Sequence, residues 1–268
     1  PFVAVFAKYA KVLSHEDCGN GKGVFARTIF KLLGDYSVAM QSSLLKPGAI
    51  NANSPSPALM KLMAKRFWLC SEVPKGMVLD DALVKQITGG DIVSSRQLYG
   101  NQIEFMPVGK LWFLVNDMPR VRYDDKGMWR RIVPIPFNAN FTGNNRDNDL
   151  EEKLLTELPG ILNWALEGAR KYAESKKLTL PTASKKLLSV LRRDVDTVGL
   201  WVKSRCVATE EGKLQSKLAY DDYCDTMKRE KATHLPQKEF KADLERRGFG
   251  HRASSKFNYY LGLRIKDK

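Results

Sequence analysis

Side chains that hold metals are scarce in this sequence. It has three histidines and four cysteines among 268 residues. The histidines are scattered, and Cys18, Cys70, Cys206 and Cys224 lie far apart with no C-x-x-C pair. That spacing offers no zinc site and no disulfide framework, and reads as reduced, mostly buried thiols of an intracellular protein. Long apolar runs are missing as well. None approaches the roughly 18 residues needed to span a bilayer. The opening PFVAVFAKYAKVL is broken by charge and has no cleavage signature, so it does not read as a signal peptide. There is no internal repeat and no low-complexity segment. Acidic charge is in deficit, with 30 Asp+Glu against 44 Lys+Arg and a net charge of +14. An excess of that size points to a polyanionic partner, nucleic acid before an anionic membrane.

What is present suits one domain of ordinary size plus a small one, with a hydrophobic fraction of 43%, ample for a packed core. In the first half, short apolar runs alternate with helical patterns, which predicts an α/β domain with a largely parallel sheet. KRFWLCSE (65–72) and KLWFLVND (110–117) read as buried central strands ending in a polar residue. Between them, LDDALVKQITGGD predicts an amphipathic helix stopped at Gly89-Gly90. DIVSSRQLYGNQIEFMP then reads as a hairpin with its tip near LYGNQ. Turn-rich NANFTGNNRDND (138–149) marks a boundary, followed by helices in DLEEKLLTEL and PGILNWALEGARKYAES, with Pro159 at a helix start. A second linker is expected around 176–186. The predicted division is 1–140, 141–185 and 186–268, the last part carrying three helical patterns and a terminal hairpin.

Four features of the first half carry chemistry. CGNGKGVFAR places Gly21-Lys22 at the start of a helix, as in the phosphate loop G-x-x-x-x-G-K-[ST]. The loop departs from that pattern twice, with Gly23 where a hydroxyl is expected and Glu16 at the first glycine position. It could cradle phosphates through backbone N–H groups and Lys22, or be a glycine turn with a solvent lysine. Glu72, after Ser71 at a strand end, stands where a nucleotide-hydrolysing site keeps a magnesium-binding acid, or is a solvent carboxylate. Asn116, also at a strand end, could position an attacking water, or form a turn. Arg130 and Arg131 precede a strand and could stabilise charge on a transferring phosphate, or be surface charge.

Taken in order, SEVPKGMVLDDALVKQITGGDIVSSRQLYG, FLVNDMPRV and GMWRRIVPIPF closely resemble the superfamily 3 helicase domain of phage and plasmid primase-helicases, related to the poxvirus helicase-primases. The resemblance covers roughly residues 19–175, and the C-terminal part more loosely. It implies an AAA+-like P-loop ATPase that forms hexameric rings and translocates on single-stranded DNA, using ATP and Mg²⁺ in the cytoplasm of a bacterial host. It implies Gly19, Asn20, Gly21, Lys22 and Gly23 as the phosphate loop, Glu72 as the acid beside magnesium, and Asn116 as a sensor. Arg130 or Arg131 is implied as a finger acting on the neighbouring subunit's ATP, and Lys85 as a basic residue reaching the adjacent nucleotide. The hairpin SSRQLYGNQ matches the element that grips DNA in the ring channel, with Arg96, Gln97, Tyr99 and Asn101 toward the strand. The family's primase part is not in this sequence, so a fragment or a truncated relative is expected, with a primase domain or protein as a possible partner.

In the last part, GLWVKSRCVA, LAYDDYCDTMKRE and PQKEFKADLERRG predict three helices, and FGHRASSKFNYY a basic hairpin. Three helices and a β-wing make a winged-helix pattern, a module with which the family commonly ends. Lys238, Lys241, Arg246 and Arg247 would lie on a recognition helix against duplex DNA, with Arg252 and Lys256 on the wing. The alternative is a solvated charged face. Because Gly23 and the single strand-end acid weaken the ATPase pattern, an ATPase-weak or inactive DNA-binding and assembly module of a replication initiator stands as the rival to a working helicase.

Overall fold

The computed structural model describes residues 3–7, 19–50, 55–74, 76–96, 99–116, 119, 126–141, 143–230, 232–254 and 257–266. The chain divides into two compact units, Pro1–Ser189 and Val190–Lys268.

The first unit is built on a five-stranded, wholly parallel sheet. Its elements run β1 (Val3–Ala7), α1 (Lys22–Leu33), β2 (Ser37–Ala39), α2 (Pro57–Met60), β3 (Phe67–Cys70) and α3 (Asp81–Gly89). They continue with β4 (Val93–Arg96), β5 (Gln102–Phe105), β6 (Lys110–Val115), α4 (Lys126–Trp129) and β7 (Ile132–Pro136). The sheet order is β2-β3-β6-β1-β7. All four residues of β3 are buried, which is why its sequence is a continuous apolar run and not an alternation. β6 alternates buried and half-buried residues along its length. The helix expected between them is α3. Asp80 caps it by accepting the Leu83 N–H at 3.0 Å, and Gly90 ends it at φ +88°. β4 and β5 form a separate two-stranded antiparallel sheet in which Arg96 pairs with Gln102. Its tip carries Tyr99 at φ +59°, fully exposed. The expected hairpin is therefore present, with its turn at the expected place.

Two helices complete this unit before a third leads out of it: α5 (Leu150–Thr156), α6 (Leu158–Ser175) and α7 (Thr182–Val195). Pro159 lies in the first turn of α6, where its missing N–H costs nothing. The segment expected to stand apart at 141–185 falls within the first unit, and α5 and α6 both meet α1.

The second unit has α8 (Thr197–Arg205), β8 (Cys206–Gln215), α9 (Ser216–Arg229), α10 (Gln237–Arg246), β9 (His251–Ala253) and β10 (Asn258–Ile265). Its sheet is antiparallel, in the order β8-β10-β9. The core is aromatic: Phe240 stacks on Tyr223 at 4.6 Å between centroids and meets Trp201 edge-on at 5.4 Å, all three fully buried. The Tyr223 hydroxyl is paired with Thr197 Oγ1 at 2.7 Å and accepts the Leu235 N–H at 2.9 Å. The sequence pattern assigned CVA to a helix and did not show β8. The helix stops at Arg205 and Cys206 begins the strand. β8 is an edge strand that buries only Cys206, Gly212 and Leu214, so its sequence lacks the period-two alternation of a half-buried strand.

Candidate functional site

Connections leaving the neighbouring strands β1 and β6 run in opposite directions across the first sheet. From β1 the chain crosses to β2 at one edge, and from β6 it passes β1 to reach β7 at the other. In an open parallel sheet, that divergence leaves a crevice beyond the carboxyl ends of the two strands, where ligands bind.

The loop lysine sits in this crevice. Lys22 is the first residue of α1, and Gly21 before it has φ +81°, a conformation that glycine adopts without a Cβ clash. Lys22 is only 7% exposed. Its Nζ donates to the Val115 carbonyl at 2.7 Å and to Asn116 Oδ1 at 2.6 Å, both at the end of β6. Asn20 is buried too. Its Oδ1 accepts the Lys22 N–H at 3.4 Å, and its Nδ2 donates to the Phe137 carbonyl at 3.4 Å. Gly19 accepts the Phe141 N–H at 2.6 Å, and a Cβ at Gly19 would stand 2.7 Å from the Phe141 oxygen. Only glycine permits that approach. The loop is thus fastened to the end of β6 on one side and to the chain leaving β7 on the other.

An ammonium group and the N-terminus of a twelve-residue helix converge there, with no acid in the first helical turn. The N–H groups of the first turn and the positive end of the helix dipole favour an anion at this point. Gly23 lies one residue further on. A Cβ there would meet Arg27 Nη1 at 2.8 Å. Arg27 is turned outward, its Nε and Nη2 forked onto Glu151 of α5 at 2.9 and 2.6 Å. The hydrogen bond holds Glu151 below the usual carboxylate range and raises Arg27. With Arg27 54% exposed, water screens the pair and its contribution to stability is small.

Glu72 lies two residues past Cys70, which pairs with Phe113, so it stands on the same sheet edge as Val115 and Asn116. It is exposed and lines a cleft of about 670 Å³ at the ends of β2 and β3, together with Met40, Gln41, Lys46, Lys61 and Ser71. Lys22 and Asn116 do not line that cleft. Burial pushes the Cys70 thiol up to about 12, against a weaker opposing hydrogen bond, so this neighbour of the site is unreactive. Among the described residues, no three His, Cys, Asp or Glu side chains gather to hold a metal ion.

Arg130 and Arg131 precede β7 and therefore lie at the opposite, amino-terminal edge of the parallel sheet. Arg131 is half-buried, donating to Thr88 Oγ1 at 3.1 Å and to the Gly127 carbonyl at 2.7 Å, whereas Arg130 is exposed. Lys85 is half-buried on α3. On the hairpin, Arg96, Tyr99 and Asn101 are exposed. Gln97, Lys256 and Cys18 lie outside the described residues. The structure thus brings Gly19, Asn20, Gly21, Lys22 and Asn116 together, puts Glu72 on the same edge, and sets the arginines apart.

In the second unit, the cations of α10 have acidic partners. Lys241 pairs with Glu245 at 3.8 Å and Arg246 with Asp243 at 3.4 Å. Arg247 is held by both Asp243 and Asp196. Lys238 and Arg252 are exposed.

Sequence reasoning missed the strand that precedes the loop. The first 17 residues matched no expected element, yet β1 lies between β6 and β7. Its uninterrupted VAVFA is the signal that could have found it. Nothing in the sequence marked Phe137 and Phe141 as partners of the loop, because those contacts are made by backbone atoms.

Residues 16–131 match a family described as one of unknown function (DUF5906). The chain is 29% identical over 170 residues to a protein called "Putative helicase" from Acanthamoeba polyphaga mimivirus, covering 57% of this chain and 18% of that protein. A protein of the same designation from Frog virus 3 (isolate Goorha) is 29% identical over 126 residues, covering 46% and 13%. One called "Putative primase" from African swine fever virus (isolate Warthog/Namibia/Wart80/1980) is 27% identical over 135 residues, covering 50% and 14%. The chain spans less than a fifth of the length of these relatives. Among solved structures, the apo C-terminal region of NrS-1 matches with a TM-score of 0.51 at 11% identity, over 98% of this chain and 67% of that one, a likeness of fold alone. The chain is therefore similar to proteins of DNA viruses that carry helicase and primase designations, and its family match contains Lys22, Glu72, the hairpin, Asn116 and both arginines.

Proposed function

We propose that this chain is the ATPase motor of a replicative DNA helicase of the superfamily 3 type, with an AAA+-like first unit and a winged-helix second unit. The observation that carries it is the meeting of Lys22, at the mouth of a glycine-opened helix, with Asn116 at the switch point of a parallel sheet. ATP is the ligand proposed for that crevice. Gly19, Gly21 and Gly23 let the backbone approach phosphates, Lys22 supplies the cation, and the α1 N-terminus supplies N–H donors. Glu72, on the same edge, would help hold a Mg²⁺ bound with the phosphates, and that ion would supply neutralisation of charge on the transferring phosphoryl group. Lys22 exchanges acceptors on the end of β6 for phosphate oxygens, and the Asn116 amide is then placed to orient water. β6 follows the β4–β5 hairpin directly in the chain, so the proposed DNA grip leads into the strand whose end meets Lys22.

Arg130, on the far edge of the sheet, is out of place for its own subunit's phosphates and suited to a neighbour's. That geometry favours a closed head-to-tail ring, of which the hexamer is the form proposed. The viral relatives support replication of a DNA virus as the setting. ATP hydrolysis measured with and without single-stranded DNA tests the whole reading. Hydrolysis should rise with DNA, and Arg96→Ala with Tyr99→Ala should remove the rise while sparing the basal rate. Hydrolysis that ignores DNA in the parent protein sinks the motor.

One observation favours a second reading. The site beside Gly23 is crowded by the Arg27 guanidinium and offers no hydroxyl to a metal. A module that binds ATP for assembly and barely hydrolyses it would show nucleotide-dependent association without DNA-stimulated turnover.

A further inference from the structure

The second unit offers nucleic acid two faces, and their charges differ. Helix α10 carries Lys238, Lys241 and Arg246 against Glu239, Asp243 and Glu245, a net charge of zero. Four of these six residues are already tied to one another in the pairs described above. Past Glu245 the sequence has no acid until Asp267, while Arg246, Arg247, Arg252, Lys256, Arg264 and Lys266 all fall in that interval. Arg246 and Arg247 are already held by Asp243 and Asp196, and Lys266 donates to the Lys203 carbonyl, so among the described residues the cation on the β9–β10 pair near its turn is the exposed Arg252, with no acid in either strand.

That hairpin also has an aromatic face. Tyr260 is opposite His251 and buried, so its side of the hairpin turns to the core. Tyr259 is opposite Arg252 and belongs to the other face. Phe257, two residues before Tyr259, is 50% exposed and meets the Tyr259 ring edge-on at 6.5 Å between centroids. The tip is stiff. The Ser254 N–H and hydroxyl donate to the Phe257 carbonyl at 3.0 and 2.7 Å, and Ser254 Oγ accepts the Phe257 N–H at 3.2 Å. An exposed phenylalanine on a backbone fixed by three hydrogen bonds is poorly explained by folding, since it leaves apolar surface in water.

We infer that the second unit holds an unpaired DNA strand on its β9–β10 hairpin, with bases stacked on Phe257 and Tyr259 and a phosphate on Arg252, and that α10 is not a major-groove reader. Rings accept any base face, and an acid-free strand pair suits the backbone's charge. A duplex would hide its base faces in the stack and would need a basic helix, which α10 is not. The inference rests on the reading of the chain as a DNA-binding motor, and refines where its second unit touches the strand.

The test uses the whole chain without nucleotide, an oligothymidine, and the same oligomer with abasic positions. Phe257→Ala should weaken binding to the intact strand about tenfold or more, and adding Tyr259→Ala should weaken it further. Neither change should alter binding to the abasic strand. That coupling isolates stacking from any other contact. Phe257→Tyr should restore affinity, which separates ring loss from damage to the turn. Arg252→Ala should weaken both strands equally and flatten the salt dependence by about one ion. Strands bearing 5-iodouracil should cross-link to the peptide containing Phe257 and Tyr259. Equal losses on intact and abasic strands, or a duplex preference that Lys238→Ala abolishes, overturn the inference in favour of α10. Cross-links confined to Tyr99 overturn it while sparing the motor. Cross-links at the tip in a protein without DNA-stimulated hydrolysis do the reverse.

Discussion

Each unit has a hairpin with an exposed aromatic ring near its tip and an arginine beside it, yet the two are built differently. Among the described residues, β4 and β5 pair only with each other, and two strands alone are marginally stable in water. Tyr99 at the tip takes a left-handed conformation that costs a non-glycine residue about 1–2 kcal/mol. The turn-side end of β4 is tethered at the start of α2: the Ser56 N–H donates to the Arg96 carbonyl at 3.1 Å, and Ser95 Oγ donates to the Ser56 carbonyl at 3.1 Å. β9 and β10 instead extend a three-stranded sheet over an aromatic core, with a tip closed by Ser254. The first hairpin has few bonds to lose if it shifts. The second would carry its sheet with it. A grip that must follow a nucleotide cycle suits the first construction, and a fixed hold on a strand suits the second.

The change that separates the two hairpins most strongly is Lys22→Ala. It removes the cation at the helix mouth, so affinity for ATP should fall by at least a hundredfold, read by titration with a fluorescent nucleotide. Binding of single-stranded DNA to the second unit should persist. If Lys22→Ala hydrolyses ATP at the parental rate, the loop assignment is wrong. Arg130→Ala should come next. A finger acting on transferring phosphate contributes on the order of 10³–10⁵ to turnover, so ATP binding should survive and hydrolysis collapse. Mixed with Lys22→Ala subunits, it should regain activity where an intact loop meets an intact arginine. No rescue in rings shown to be mixed argues for a site within one subunit. Arg131→Ala differs in kind: it removes hydrogen bonds to Thr88 Oγ1 and to the Gly127 carbonyl, and should lower the melting temperature of the first unit.

The support of the second unit's sheet can be tested at α8 and α9. Arg205 and Trp201 Nε1 both donate to Asp222, at 2.8 and 2.7 Å, tying α8 to α9 beneath the sheet. Burial pushes the Asp222 carboxyl up, but the hydrogen bonds from Arg205 and Trp201 and the nearby positive charge outweigh it, and its folded value lies below the ordinary 3.8. A carboxyl lowered by folding stabilises fully above its ordinary value and loses that contribution as pH falls below 3.8 through the folded value. Asp222→Asn should cost about 1–3 kcal/mol at neutral pH and blunt acid unfolding of the second unit in that window. Denaturant melts followed by tryptophan fluorescence check both. A variant as acid-sensitive as its parent would place the titration elsewhere.

How much of this was legible in the sequence depends on whether side chains or backbone carried the feature. The buried strands β3 and β6, the Gly90 stop, the first hairpin and Pro159 follow from apolar runs, turn residues and proline geometry, all local. The strand β1 was missed because its flank KYAKVL masked a short apolar run. β8 was missed because an edge strand needs few apolar residues. Within the site, Lys22 and Asn116 were legible as residue types, but their 2.6 Å contact depends on a sheet order that no local pattern contains. Arg247 looked like one more phosphate contact. Its two carboxylates lie on its own helix and fifty-one positions away, and only the fold joins them.

The smallest expected effect is also the one that best separates a working motor from an assembly module. Gly23→Ser restores the hydroxyl that the loop lacks. The added Cβ would come within 2.8 Å of Arg27 Nη1, the far end of a flexible side chain, so the guanidinium can swing away. Doing so strains or breaks its fork on Glu151, an exposed pair worth at most about 1 kcal/mol. Against that, serine in a helix is favoured over glycine by roughly 0.5 kcal/mol. The two nearly cancel, and the melting temperature should move by no more than about two degrees. The hydroxyl would stand one residue after Lys22, beside the phosphates. Turnover should rise, or half-maximal activity should need less Mg²⁺. Combining the change with Arg27→Ala removes the contact altogether and should give the same Mg²⁺ response or a larger one. A loss of stability above about 2 kcal/mol would mean that the first turn of α1 has no room for a Cβ. An unchanged Mg²⁺ requirement in both variants, with stability intact, would mean that the hydroxyl does not meet the metal, and would favour the module that binds ATP without rapid turnover.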